Sequence, residues 1–537
     1  MTTTFVQWRV TGAVSALAAL GIAALAAVGG PAASARADSV PHRQQPFLSG
    51  AGAPVTNTVA NTPDGIATSN PGFNGGFAGV SALDSFSAAG FDVEPPDQGL
   101  CVGGGHVLDT VNVAQSVYST SGTLESGPTY LNTFFNEDPA VFQSDPRCYY
   151  DPATQRWFVE VLMSDLSSYS RIDLAVSKTS DPNGPYYQYR IDNTNAGQGG
   201  CPCFGDQPLV AVDGNGVYLS ANMYDMNSLK TYKGAFLFAL DKTALEAGTL
   251  PRVVQVAVPN TTPAGSRPSS VVPAQSPTGA AATAANGTEY FLSGNSFNTG
   301  TQHSITAWAL SGTATLASAH PSLTLSAVSL NSETYSVPDK LTQPNGPIPL
   351  GSSLFGATTV GALNADDDRM EGVEYQGGRL WGALNTDVNG VPGLAWFVVN
   401  AAGGGSSFAA SMLNQGFLTG AGQLGLAYPS FGVTPSGTAV MAFDAMGPNN
   451  FPSVGYVTLT ATGGPSLIHL AYASTVPYDG YTCYIRKHLG GPCRMGDYTA
   501  SVVAADGSVW FAGETALEHS ATPQNDNWGT FIGNVTP

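Results

Sequence analysis

Charge is scarce in this chain. Asp, Glu, Lys and Arg make up only 11% of its 537 residues, and 19 basic side chains face 38 acidic ones. A formal net charge of −19, with no basic stripe interleaved with aromatics, argues against a nucleic acid partner. No apolar run after Val28 is long enough to span a bilayer, so the mature chain is expected to carry no membrane span. Catalytic signatures are missing too: there is no Gly-x-Ser-x-Gly elbow, no His-Glu-x-x-His helix and no phosphate-binding loop. The seven histidines, His106, His303, His469 and His488 among them, lack metal-ligand spacing. Helical periodicity is almost absent, KTALEAG at Lys242 to Gly248 being the exception, read as one turn or a short helix.

What the chain has is glycine, 64 residues of it, a hydrophobic share of 43% and apolar residues that alternate with a period near two from Asp97 onward. One phrase returns seven times: a strand that usually opens on Asp, a Gly/Asn/Asp turn, and a second strand that often carries an aromatic. It reads DQGLCVGGGHVLDTVNV from Asp97, DPRCYYDPATQRWFVEV from Asp145, DQPLVAVDGNGVYLSAN from Asp206 and, degenerate, VPAQSPTGAAATAANGTEYFLS from Val272. It continues as DRMEGVEYQGGRLWGAL from Asp368, YPSFGVTPSGTAVMAF from Tyr428 and DYTASVVAADGSVWFAG from Asp497. Turns such as DGNG at Asp213, NG at Asn286 and QGG at Gln376 tolerate the positive φ that tight hairpins need, so each phrase predicts an antiparallel hairpin.

One small sheet cannot bury both faces alone, so a repeat of this kind predicts radially arrayed blades. Trp157, Tyr218, Tyr290, Trp381 and Trp510 recur near one phrase position and are read as core between neighbouring sheets. Further strand material follows each hairpin, giving four strands per unit. The fold class expected is therefore all-β, a seven-bladed β-propeller of four-stranded antiparallel blades, with six or eight blades as the alternatives left by the degenerate fourth unit. The last unit is one strand short, and the stretch before Asp97, with FNGGFAGVSALDSF, is expected to supply it and remove two sheet edges. Residues 331–365 are too long for an ordinary connection and read as an inserted loop over one face.

Arg9, the apolar run from about Ala13 to Val28 and Ala35-Arg36-Ala37 form a secretory signal pattern. The expected organisation is a signal peptide over 1–37, a flexible leader with a ring-closing strand over 38–92 and a propeller domain over 93–537. The product is expected to be secreted, extracellular or associated with the cell surface, and monomeric. In an exported chain six cysteines point to disulfides rather than metal thiolates. Equivalent positions in two phrases suggest Cys101–Cys148, a short bracketed loop suggests Cys483–Cys493, and Cys201–Cys203 remains as a local pair.

The innermost strand of a blade lines the central channel, so Asp97, Asp145, Asp206, Asp368 and Asp497 are expected near one mouth, with Arg147, Arg369 and Arg494 beside them. In one reading each Asp accepts amide hydrogen bonds and locks the repeat. In the other, the group holds a polar ligand, or Asp97, Asp145, Asp206 and Asp497 bind Ca²⁺, the one cofactor suggested. DPNG at Asp181 and the run Asp366 to Asp368 also look cation-friendly, but neither has EF-hand spacing.

Residues 93 to 225 carry PPDQGLCVGGGHVLDTVN, LNTFF, SDPRCYYDPATQRWF, LAVSKTSDPNGPYYQY and CFGDQPLVAVD, and in these the chain resembles a group of secreted bacterial β-propeller proteins, distantly similar to the sialidase-type superfamily. That resemblance implies a propeller. It also implies an arginine triad facing a substrate carboxylate, for which Arg147, Arg369 and Arg494 are the counterparts, together with a Tyr/Glu nucleophile pair and an Asp acid. The Phe-Arg-Ile-Pro motif and the Ser-x-Asp-x-Gly-x-Thr-Trp boxes of sialidases are absent. The functional expectation is an extracellular module that binds a glycan, protein or cation at the channel mouth, with a carbohydrate-active enzyme (glycoside hydrolase or polysaccharide lyase) and a structural surface protein as the alternatives.

Overall fold

The computed structural model describes residues 66–197, 199–277, 287–295, 300–486, 491–519 and 525–537. The signal pattern, the leader up to residue 65, the Asn286 turn and His488 lie outside the described residues.

Strand β1 (Phe73–Ser81) leads into helix α1 (Ala82–Ala89), which the Ser81 and Asp84 side chains cap reciprocally. Seven four-stranded antiparallel sheets follow, so the fold is a seven-bladed β-propeller. Blade one is β2 (Gly99–Gly103), β3 (His106–Thr110), β4 (Ala114–Ser119) and β5 (Leu124–Tyr130), followed by the short helix α2 (Leu131–Phe134). Blade two is β6 (Phe142–Asp151), β7 (Arg156–Ser164), β8 (Ser170–Ser177) and β9 (Tyr186–Asp192). Blade three is β10 (Cys203–Val212), β11 (Gly216–Asp225), β12 (Tyr232–Asp241), helix α3 (Lys242–Glu246) and β13 (Val253–Ala257). Blade four is β14 (Ser269–Pro273), β15 (Thr288–Gly294), β16 (Gln302–Ser311) and β17 (Thr324–Tyr335). After helix α4 (Pro349–Phe355), blade five is β18 (Met370–Gln376), β19 (Arg379–Val388), β20 (Val391–Ala402) and β21 (Ala409–Leu418). Blade six is β22 (Gly425–Val433), β23 (Thr438–Gly447), β24 (Asn450–Thr460) and β25 (His469–Ala473). Helix α5 (Thr482–Ile485) precedes blade seven: β26 (Ala500–Val503), β27 (Val509–Ala516), β28 (Trp528–Val535) and, from the other end of the chain, β1.

Each phrase of the sequence is the inner hairpin of one blade. The seven inner strands touch in succession, and β26 touches β2, so the ring is closed. Strand β1 supplies the outer strand of blade seven, pairing Phe73 with Val535 and Phe77 with Ile532.

The core is divided by the repeat. Seven hydrophobic clusters lie one to each blade interface, from Trp157 with Cys101 and Leu108 between blades one and two to Trp510 with Leu100 and Tyr118 between seven and one. Trp157, Tyr218, Tyr290, Trp381 and Trp510 are all buried in these clusters. The rings meet across interfaces: Trp381 lies 6.1 Å from Phe431 of the next blade and Tyr290 lies 4.7 Å from Tyr375. Burying an aromatic in this way stabilises by about 1.5–3 kcal/mol, so each interface rests on its own anchor.

An eighth cluster joins the inserted segment and the approach to blade seven to the ends of several blades. Leu341, Leu350 and Leu363 of the inserted segment pack against Tyr478, Tyr481, Tyr484 and the Cys483–Cys493 disulfide, making a cap over one end of the channel. The insertion is shorter than its sequence suggests, because β17 pairs with β16 as far as Tyr335. Cys101–Cys148 joins the neighbouring inner strands β2 and β6, with Cα atoms 5.7 Å apart, and Cys201 is bonded to Cys203.

Candidate functional site

In blades two to six the inner strand opens on a β-bulge; those of blades two, three, four and six, between Ser144 and Arg147, Asp206 and Leu209, Ser269 and Val272, and Ala427 and Ser430, share one geometry. Inside each of these one residue turns left-handed: Asp145 (φ 55°), Gln207 (51°), Ser270 (44°) and Tyr428 (60°), with Asp97 (54°) before blade one. For a tyrosine or glutamine that conformation costs energy, so the surrounding structure must hold it in place.

The holding groups are asparagines at the ends of the second strands. Asn112 Oδ1 accepts the Asp145 amide at 2.8 Å, Asn222 Oδ1 accepts that of Ser270 at 3.1 Å, and Asn385 Oδ1 accepts that of Tyr428 at 2.7 Å. Each clasp ties one blade to the next. Asn112 also donates to Asp97 Oδ2 at 2.6 Å and to the Pro95 carbonyl at 2.9 Å. Asn112→Ala is therefore expected to cost about 3 kcal/mol, since it orphans a buried amide and a buried carboxylate together. Chemical denaturation should report this as a lower midpoint at unchanged slope.

These bulges set the rim of a cavity of about 350 Å³ at the channel mouth. Asp145 and Asp206 enter it from blades two and three, Asp366, Asp367 and Arg369 from the approach to blade five, and Arg494, Asp497 and Tyr498 from the approach to blade seven. The cap supplies the remaining wall, through Val337 to Lys340 of the insertion and Arg486 beyond α5. Below it a narrower space of about 70 Å³ runs between the inner strands, lined by Arg147, Glu371, Ser430 and Thr499 among others. Tyr498 borders both spaces, with the Arg147 guanidinium 3.8 Å above its ring centroid.

The structure thus gathers Asp145, Asp206, Arg369, Arg494 and Asp497 at one mouth. Asp97 lies just behind them, buried, and does not line the cavity. Arg147 sits deeper, donating to the Gln98 carbonyl at 3.0 Å. Asp368 is fully buried and outside the cavity; Asp366 and Asp367 of the same run occupy the place expected for it. Asp367 belongs to the cation-friendly run Asp366 to Asp368, whereas Arg486 and Lys340 lie in connections between blades and Tyr498 lies beside Asp497, so no motif marks those three.

The electrostatics are those of a crowded, desolvated mixture. Burial, reinforced by Asp145, pushes the Asp206 carboxyl up to about 7. Burial lifts Asp366 to about 7 against the pull of Arg369, and Asp497 to about 6 against Arg494 and Arg369. Asp97 is raised well above its ordinary range by burial, then by Asp497 and Asp145. Burial works against the charge of Arg494, but Asp497, Asp366 and Asp97 outweigh it and keep the guanidinium protonated. Arg494 is paired with Asp497, and Arg369 binds Asp367 bidentately at 2.7 Å and reaches Asp366 at 3.3 Å.

Asp145 Oδ2 accepts the Gln207 amide at 3.2 Å, so this carboxylate also has the blade-locking role. Among the described residues no group of three or more His, Cys, Asp or Glu side chains is placed to hold a metal ion. At the mouth Asp145, Asp206 and Asp497 share the cavity with Arg369, Arg486 and Arg494. No helix among the described residues is long and apolar enough to cross a membrane.

No family model matches the chain, and no curated protein matches it. Solved structures do. A Trypanosoma rangeli sialidase in complex with the inhibitor DANA aligns at 10% identity and TM-score 0.34 over 81% of this chain and 60% of that one, so the chain spans about three fifths of the sialidase's length. Drosophila Semaphorin 1b, extracellular domains 1-2, aligns at 9% identity and TM-score 0.36, covering 89% and 88%. An alpha-L-arabinofuranosidase from Lactobacillus brevis aligns at 14% identity and TM-score 0.28, covering 63% and 95%.

Proposed function

We propose that this propeller is an extracellular binding module that takes a glycan into the cavity at its channel mouth. The lining carries the reading. Hydroxyl-rich ligands need acceptors, donors and an aromatic face together, and the mouth offers Asp145, Asp206 and Asp367, the guanidinium of Arg486, and the rings of Tyr224 and Tyr498. Its volume of about 350 Å³ falls at the lower end of small-molecule sites, which run from roughly 300 to 1,000 Å³. Three disulfides fit a protein that works in an oxidising compartment.

Glycoside hydrolysis is the second reading. It is favoured by one observation: carboxyls raised to about 7 at Asp206 and Asp366 share the cavity with Asp367, which Arg369 holds by two hydrogen bonds. A carboxyl that holds its proton more tightly than usual, with a second carboxyl in the same cavity, is what general acid catalysis of glycosidic cleavage needs.

A glycan array combined with turnover assays on polysaccharide mixtures separates the two. Binding without products supports the module, products support the hydrolase, and silence in both assays overturns each. Val337→Trp, which fills the cavity from its cap side, is expected to weaken binding at least about tenfold while leaving the melting temperature unchanged.

A further inference from the structure

Among the cations that line the mouth, two classes are distinguishable. Arg369 and Arg494 are already engaged by Asp366, Asp367 and Asp497. Arg147 is turned into the channel against Tyr498 and the Gln98 carbonyl. Arg486 differs. It lines the cavity, is half-buried, and forms no ion pair with any carboxylate among the described residues. Burial, then the positive charge of Arg494, weakens its hold on its proton, so the site keeps this cation at a cost. Lys340, exposed on the opposite cap segment, lines the same cavity and likewise has no carboxylate partner among the described residues.

The segment that leads into Arg486 is tied to its surroundings. Arg486 follows α5, whose Cys483 is bonded to Cys493. The buried Glu94 accepts the Thr482 amide at 2.7 Å and the Thr482 hydroxyl at 3.0 Å, and the Tyr478 hydroxyl donates to the same carboxylate. The Arg494 amide in turn donates to the Thr482 hydroxyl at 2.8 Å.

We infer that the glycan taken at the mouth is an anionic one, its carboxylate or sulfate group received by Arg486 with support from Lys340. The inference rests on the glycan-binding reading of the same cavity. Asp497, Glu94 and Asp366 reach this guanidinium only as longer-range charges, so an oxyanion in the cavity can pair with it directly, whereas a neutral sugar brings it no charge.

The test is titration calorimetry of the whole chain at low salt with three matched oligosaccharides: uronate-bearing, sulfated and neutral. At least one anionic ligand should bind about tenfold or more tighter than the neutral one, with an affinity that falls as salt is raised. Arg486→Gln should erase that preference, weakening anionic binding about 10- to 100-fold while leaving the melting temperature unchanged, and Lys340→Gln should weaken it by less. Which anion wins tells carboxylate from sulfate. Neutral binding that equals anionic binding, or anionic binding indifferent to Arg486→Gln, overturns this inference and leaves the glycan module standing. Failure of all three ligands, together with silence on the array, overturns the module itself.

Discussion

Deleting residues 66–81 is expected to abolish cooperative unfolding of the whole propeller. Those residues include β1, which gives blade seven its fourth strand from a point more than four hundred positions away in the chain, with Asn74 also bonded to Thr536. Loss of the strand exposes the backbone edge of β28. It also strips Phe77 from its places 5.3 Å from Tyr118 of blade one and 6.4 Å from Trp510 of blade seven, so the seam between the first and last blades loses its bracket. Several half-buried side chains and a full strand ladder together are comparable with the net stability of a typical domain, about 5–15 kcal/mol. Circular dichroism should show a broad melt at a much lower temperature, and a peptide of residues 66–90 added in trans should restore part of the loss. A deletion variant that melts sharply near the parent temperature would mean that closure contributes nothing.

The second large effect is expected from Arg494→Met, and it should depend on pH. Arg494 lowers the carboxyls of Asp97, Asp206, Asp366 and Asp497, and removing one partner from such a buried group costs about 3–5 kcal/mol. That cost applies while the acids are ionised. These carboxyls have folded pKa values above the ordinary 3.8, near 7 for Asp206 and Asp366 and near 6 for Asp497, so the folded chain binds their protons more tightly than the unfolded one. Their contribution is therefore fully present below about pH 4 and is lost as pH rises toward 7, on the order of 1 kcal/mol per group per pH unit. The parent protein should be more stable at pH 5 than at pH 8. Arg494→Met should widen the gap, being strongly destabilised at pH 8 and only mildly at pH 5. A destabilisation equal at both pH values would place the effect in packing and not in charge.

The architecture could be read from the sequence because the repeat is written in turn chemistry and alternation. Five of the seven hairpins announce themselves through their glycine turns, and that of blade two through the Asp-Pro turn at Asp151. The degenerate fourth does not, because its inner strand β14 and second strand β15 are separated by a longer stretch of small residues. The site was legible only to within a residue or two. Aligning phrases on Asp treats Asp145 and Asp206 as equivalent, yet the bulge makes Gln207 the counterpart of Asp145 and leaves Asp206 matched to Ser144. Bulges carry no composition signal of their own, and a one-residue shift in a strand redirects every side chain. The same slip placed Asp368 at the mouth in place of Asp366 and Asp367. The asparagine clasps were in plain view at the ends of the second strands, as Asn112, Asn222 and Asn385, but they act on residues about 33 to 48 positions away, and no local pattern marks such a contact. Arg486 and Lys340 were missed for a different reason. They belong to connections outside the repeat, which only three-dimensional packing folds over the mouth.

The central claim is that the cavity bounded by these bulges and the cap receives the ligand. Crystals of the complex with the tightest-binding oligosaccharide test it most directly. The account predicts a sugar residue inside the mouth, in contact with Tyr498 and with its charged group on Arg486. A sugar bound to an outer strand or the opposite face, with the mouth holding only solvent, would contradict it.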